Sequence, residues 1–426
     1  MTISGVVIRF AILACLFQCP LAEVFPAFSL FDEVLMVGLI LSLLVKTSRQ
    51  LKIEWEDLFV CGCVFLIFVY GLFCNLISGV PRPATAIMQD MLTVPKVIIC
   101  YLGAKYLFCN RSDCWEILGW TARATGVIVV VGIVCLFLAH LGILDMLSRS
   151  MRMGVRCFEY IYGSPGMLSQ YCVLFCVILT ADLSRGRATR ARWIVWFLSL
   201  VLWASTMRTR GFVMILLILF LVFVVFRPGM RERFQGHVML KKLTSPLVLV
   251  PIVGVTLLVS IDQIDHYFGE LESARSYLLY GGIQAFREFF PFGGGFATYG
   301  TEAARAYYSP LYSRYGINSH WALGADGTEL TDTFWPAIMA QFGLIGTILY
   351  VPMIFIMLRR IVKTCVAQRF LLASAVSFAA YVLFASTATG VFFSYTIACC
   401  TVFIGLIMGC AVDDNGNVPS EQKGLH

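Results

Sequence analysis

Apolar residues in this chain neither alternate nor keep to one helical stripe. They come in nearly unbroken runs of about twenty, separated by short polar stretches. Twenty residues of α-helix rise about 30 Å, the thickness of a hydrocarbon core. Backbone in lipid must satisfy its own hydrogen bonds, and these runs lack the ten-residue alternation of barrel strands, so the pattern predicts helices. Spans are expected near 4–21, 31–46, 57–79, 85–107, 117–140, 165–182, 192–207, 210–226, 244–261, 334–357, 370–387 and 391–411, to within a few residues. The first run has the length of a signal-peptide core but no clear small-x-small cleavage site, so it reads as the first span. The expected fold class is an all-α polytopic membrane protein of about twelve transmembrane helices. Helices 1–9 occupy 1–261, a large loop 262–333, helices 10–12 residues 334–411, and a tail 412–426.

Composition agrees with this pattern. Of 426 residues, 59% are hydrophobic and 13% charged, about half the charge of a soluble chain. A net charge of +7 would point to nucleic acid in a soluble protein, but here it has a topological meaning and no nucleic-acid partner is expected. Basic residues gather at alternate span ends: Lys46, Arg49 and Lys52; Arg185, Arg187, Arg190 and Arg192; Arg227, Arg231, Arg233, Lys241 and Lys242; Arg359, Arg360, Lys363 and Arg369. The positive-inside rule puts all of these, and both termini, in the cytoplasm. Sixteen cysteines lie mostly in apolar runs, with none between Cys176 and Cys365, so the large loop has no disulfide framework. Cys61 and Cys63 lack partner ligands and read as small core residues; no metal site or cofactor is expected.

The stretch from about Asp262 to Asp332 breaks the rhythm. It is outside by this topology, about seventy residues long and rich in Gly and Tyr. Loops of that length are usually functional or disordered, and the aromatic content argues against disorder. Tyr277, Tyr280, Phe286, Phe289 and Phe290 suggest an amphipathic helix at the membrane interface.

Outward-facing arginines violate the topology rule and so mark candidate chemistry. Arg149, Arg152 and Arg156 have spacings that would align them on one helical face. Arg208 and Arg210 occupy a tight outer turn, and Arg275, Arg287, Arg305 and Arg314 lie in the large loop. Each alone suits snorkelling or solvation, but several together make a clamp for a diphosphate or another anion. Lys96, in mid-span 4, needs a partner or a cavity; either Asp90 or an acid from another helix would serve. Candidate bases are His266, His320, Glu302, Asp326, Glu329 and Asp332. Asp332 also reads as a helix N-cap, and His320 as a loop hydrogen-bonder.

These passages resemble a family. Arg275 followed by Pro-Phe-Gly-Gly-Gly-Phe-Ala-Thr-Tyr-Gly at 291–300 looks like its Arg, helix, Pro-x-Gly-x-Gly passage. Ala-Gln-Phe-Gly-Leu-Ile-Gly at 340–346 looks like its acidic-x-Gly-Leu-x-Gly segment, with Gln341 replacing the acid. Thr-Arg-Gly at 209–211 resembles its Ser-Arg-Gly turn. Arg-Met-Gly-Val-Arg at 152–156 with Gly-Ser-Pro-Gly-Met-Leu at 163–168 resembles its Arg-x-x-Gly and Asn-Pro-Asn-x-Leu passage, Gly166 replacing an asparagine. The family is the O-antigen ligase and O-antigen/exopolysaccharide polymerase superfamily. The likeness covers about 150–350 in ordered motifs.

The resemblance implies a metal-independent, C-type membrane glycosyltransferase acting on undecaprenyl-diphosphate-linked oligosaccharide donor and acceptor at the periplasmic face of the bacterial inner membrane. A chain-length-regulating co-polymerase is a further implied partner, besides membrane lipids. Arg210, Arg275 and Asp332 are the expected catalytic residues; Arg152, Arg156, Arg208, Tyr299, Arg305, Arg314, His320 and Lys96 the expected substrate contacts, with Tyr and Trp near 299–335 stacking on sugar faces. Family ligases carry a His-Asn pair eleven residues before the Gly-Leu-x-Gly glycine. Counting back eleven from Gly343 reaches Asp332, followed by Thr333, which favours a polymerase. Two alternatives stay open: a ligase transferring polysaccharide to lipid A-core, and a lipid-linked oligosaccharide flippase. A transporter would usually show internal repeats and shorter outer loops.

Overall fold

A computed structural model describes residues 3–47, 54–108, 110–152, 154–186, 188–225 and 273–412. The expected ninth span, Arg49, Lys52, Arg187, the basic cluster 227–242, Asp262 and His266 lie outside the described residues. Among the described residues, 76% are helical and almost none lie in sheet. Its elements are α1 (Ile3–Val24), α2 (Phe31–Thr47), α3 (Trp55–Ser78), α4 (Ala84–Thr93), α5 (Lys96–Leu107), α6 (Arg111–His140), β1 (Leu147–Arg152), β2 (Val155–Phe158), α7 (Pro165–Asp182), α8 (Arg190–Ala204) and α9 (Thr209–Phe220). Beyond residue 272 follow α10 (Ala274–Glu288), short α11 (Glu302–Ala306) and α12 (Pro310–Arg314), α13 (Trp335–Cys365), α14 (Arg369–Ser386) and α15 (Tyr395–Ala411). Among the described residues, seven helices are long and apolar enough to cross a membrane, or eight if the bent pair α4–α5 is counted as one span. The protein is an all-α, multi-pass membrane protein.

Helices in lipid gain little from hiding apolar surface, so close approach of backbones matters more. The contact of α5 with α15 is built that way. A Cβ on Gly405 would stand 2.7 Å from the Ala104 carbonyl carbon, and one on Gly409 2.5 Å from the Phe108 oxygen. At the other flank of α5, a Cβ on Gly103 would meet Leu39 of α2 at 2.6 Å.

Charge tells the two ends of the bundle apart. At the basic end, Lys105 of α5 donates to Glu54 at 2.6 Å and to Asp57 at 2.5 Å, and Tyr106 Oη also reaches Asp57. Arg360 of α13 pairs with Glu54 and Glu56, tying α3, α5 and α13 together. Burial opposes the charge on Glu54, but Lys105 and Arg360 outweigh it and hold the carboxyl below its ordinary value. Arg9 with Glu116 at 2.5 Å ties α1 to α6.

The opposite end carries the segment from 273 to 334. Span 4 is not one helix: α4 and α5 meet at a 45° bend at Val94-Pro95. Proline has no N–H to continue the ladder, and its ring opposes the preceding turn. Lys96 therefore starts a helix instead of sitting in the middle of one.

Arg149, Arg152 and Arg156 do not share a helical face. They lie on a β-hairpin in which Met151 pairs with Arg156 and Arg152 with Val155. Gly154, at φ +77°, makes the tight reversal that a helix would not tolerate. Here turn chemistry wins over the three-and-four spacing.

Candidate functional site

The two glycine-rich passages meet in space. α10 packs on the start of α13, with Gly282 against Pro336, where a Cβ would stand 2.8 Å from the proline side chain. The loop after it then enters a break in α13. Gly343 sits at φ +57°, ψ −152°, so the helical ladder is interrupted there. The carbonyls of Ala340 and Gln341 accept instead from the amides of Gly294 at 2.8 Å and Gly295 at 2.7 Å, and Pro291 O accepts from Leu344 N at 3.0 Å. α3 holds the other side. Tyr70 Oη and Cys74 Sγ donate to Phe292 O, Ser78 Oγ donates to Gly294 O, and Asn75 exchanges two bonds with Phe296. Irregular backbone within a membrane bundle persists only where such partners surround it.

An acid completes this clasp. Asp90 Oδ2, fully buried on α4, accepts from Ala297 N at 2.5 Å and from Gln341 Nε2 at 3.0 Å. Gln341 Nε2 also donates to Tyr299 O at 2.8 Å. The amide at position 341 is thus paired with a carboxylate from another helix.

Above the clasp lies a rim where distant segments converge. Arg275, at the start of α10, donates to Asp332 Oδ2 at 3.1 Å. The neighbouring Thr331 carbonyl accepts from Gly390 N at 3.3 Å, in the turn between α14 and α15. Thr389, one residue earlier, accepts from Arg210 Nη1 at 3.3 Å. Arg208, two residues before Arg210, extends to the start of α7, where a Cβ on Gly166 would stand 3.5 Å from its Nη2. Ser394 Oγ reaches Gln170 Oε1 at 3.0 Å, closing the circle between α15 and α7. The turn at 387–394 therefore links Arg210 to the segment that carries Asp332 and its partner Arg275, with Arg208 two residues from Arg210 at the same end.

Several expected contacts lie elsewhere. Asp332 does not cap α13, whose N-cap is Phe334 without any side-chain bond; the carboxylate turns to Arg275 instead. Lys96 is paired with Asp32 and, at 2.7 Å, with Glu33, both on α2, while Gln18 holds Asp32 at 2.8 Å. Asp90 is not its partner. Tyr299 has no exposed face for a sugar: it is fully buried, donates to Leu278 O at 2.5 Å and packs on Tyr312. Burial pushes its phenol well above the ordinary range, so it remains a neutral donor.

Arg305 pairs with Glu302 one turn earlier, and Arg314 with Glu288 at 2.6 Å. Glu288 is thirteen residues beyond Arg275 on α10, about 20 Å along the axis, so Arg314 staples the loop far from the rim. His320 Nδ1 accepts from Ala322 N at 3.1 Å and its ring lies 5.5 Å from Tyr277, a local turn role. Arg152 and Arg156 are exposed toward the hairpin tip, while its base is tied to the turn before Arg208 by Phe158 N to Ser205 O at 3.0 Å.

Sequence reasoning missed Thr331, Thr389 and Gly390, which join the arginines. The signal was the polar run Ser-Thr-Ala-Thr-Gly at 386–390 between two apolar spans. It missed Arg82 as well, whose guanidinium donates to the carbonyls of Tyr307 at 3.2 Å and Ala303 at 3.4 Å. Burial lowers the Arg82 pKa from its ordinary value, against the nearby Tyr312 and Asp90. Among the described residues, no group of three or more His, Cys, Asp or Glu side chains could hold a metal ion. Compared with known proteins, the chain matches no protein-family model and no curated protein sequence.

Proposed function

We propose that the rim is the active site of a metal-independent membrane glycosyltransferase that polymerises undecaprenyl-diphosphate-linked repeat units into O-antigen, capsule or exopolysaccharide. The observation that carries the reading is the gathering of Arg208, Arg210 and the Arg275–Asp332 pair at one end of a membrane bundle. In the proposed orientation the basic end and both termini are cytoplasmic, and the rim faces the periplasm of an inner membrane crossed by about twelve helices.

The chemistry follows from the side chains. An acceptor hydroxyl attacks the anomeric carbon of the donor, the bond to the diphosphate oxygen breaks, and undecaprenyl diphosphate departs with the charge. Preorganised guanidinium groups stabilise that developing charge, the role given to Arg210 and Arg275 with Arg208 in support. Asp332 takes the hydroxyl proton or orients the acceptor, its position fixed by Arg275.

The test is purified protein with a lipid-linked repeat unit. A ladder of longer lipid-linked chains supports a polymerase. Product on lipid A-core would make the protein a ligase, and translocation without new glycosidic bonds a flippase.

A further inference from the structure

An open groove of about 610 Å³ lies at the basic end, away from the rim, between α6, α7 and α8. Arg123, Asp182, Arg185 and Arg192 form its head. Arg192 Nε pairs with Asp182 Oδ2 at 3.3 Å, its Nη1 donates to Arg185 O at 2.6 Å, and Arg185 and Arg123 also act on the Asp182 charge, so three arginines face one carboxylate at the head. The head is therefore net positive, with Arg123 and Arg185 outside the Arg192–Asp182 ion pair. Arg185 is seated in a notch of small residues: a Cβ on Gly119 would stand 1.7 Å from its Nη1. Arg123 is anchored by Nε to Gly119 O at 3.2 Å and lines the groove.

Below this head the wall is apolar. Val127, Val130 and Val131 of α6 are 64%, 41% and 46% exposed, at the i, i+3, i+4 spacing of one helical face. From Arg123 to Val131 the helix rises about 12 Å, the reach of roughly ten methylenes of an extended chain. Two arginines over a strip of valines, on a membrane-spanning helix, complement a molecule with an anionic head and a hydrocarbon tail. A soluble anion would leave the valines uncovered, and a zwitterionic head would leave the guanidinium surplus unmatched. We infer that this groove seats an acidic glycerophospholipid from the leaflet at the basic end, its phosphodiester between Arg123 and Arg185 and one acyl chain along Val127, Val130 and Val131. The groove shares no residue with the rim, so this site stands whatever reaction the rim performs.

Native mass spectrometry of the full chain, titrated with phosphatidylglycerol or phosphatidylcholine of equal chain length, tests it. Retention of phosphatidylglycerol should exceed that of phosphatidylcholine by about tenfold, and Arg123→Gln with Arg185→Gln should bring the ratio close to one. Val130→Trp, which keeps the charges and fills the wall, should weaken phosphatidylglycerol retention by a similar factor. Equal retention of the two lipids by the unaltered protein would overturn the inference. So would undiminished preference in the double variant or displacement of phosphatidylglycerol by inorganic phosphate at equal concentration.

Discussion

Asp332 binds Arg275 at 3.1 Å across 57 residues of sequence, instead of capping the helix that begins three residues after it. That choice separates the chemistry of the carboxylate from the stability of α13. Asp332→Asn should therefore leave the thermal unfolding of the purified protein nearly unchanged. Chain extension should fall by about 10²–10³, because the amide accepts no proton and no longer offsets the guanidinium. Near-normal turnover in this variant would remove Asp332 from the mechanism.

Arg275→Ala and Arg210→Ala should each lower chain extension by about 10²–10³ while expression persists, the usual loss when one preorganised charge contact is removed. Loss in kcat with little change in donor KM is the expected signature of a contact made mainly to the leaving diphosphate. Full activity in both variants would sink the clamp.

Gly343→Ala should disrupt the clasp. The backbone there is at φ +57°, and an added Cβ would lie 2.3 Å from Pro291 O and 2.7 Å from the Phe292 carbonyl carbon. Backbone on both sides cannot yield without expelling the loop from the break in α13. A drop in melting temperature with a gain in protease cleavage near 290–300 is the expected result. Gln341→Leu probes the same element more gently, leaving Asp90 and the Tyr299 carbonyl short of a donor at about 1–3 kcal/mol.

Lys96→Met should lower stability strongly, by about 3–5 kcal/mol, since it leaves the buried Asp32 and partly buried Glu33 without their cation. Adding Asp32→Asn and Glu33→Gln should recover much of that loss. Equal melting of the single and triple variants would mean the pair charges are already matched from elsewhere.

Tyr299→Phe separates a structural tyrosine from a sugar platform. It removes one buried hydrogen bond, to Leu278 O, worth about 1 kcal/mol, and should leave acceptor KM unchanged. A large rise in acceptor KM would restore the stacking role that its burial denies.

The helices were legible because their cause is local: a run of about twenty apolar residues is a property of consecutive positions. For the same reason the kink at Val94-Pro95 was within reach of sequence reading, and so was the tight turn at Gly154, where the regular spacing of three arginines misled. The partners were not legible. Nothing near Lys96 in sequence points to Asp32, and Gln341 looked like a lost acid until α4 delivered Asp90 to it. Arg210, Arg275 and Asp332 could be named from their residue types and the resemblance, but the link between them runs through Thr331, Thr389 and Gly390.

Sequence by itself determined that this protein is a helical membrane bundle with an aromatic, glycine-rich segment at one end. Tertiary structure decided what that segment does to the bundle: it breaks α13 at Gly343 and takes over two of its carbonyl partners. The physical reason is that an orphaned carbonyl in a membrane must be satisfied at once, and only the three-dimensional fold specifies by which distant amide.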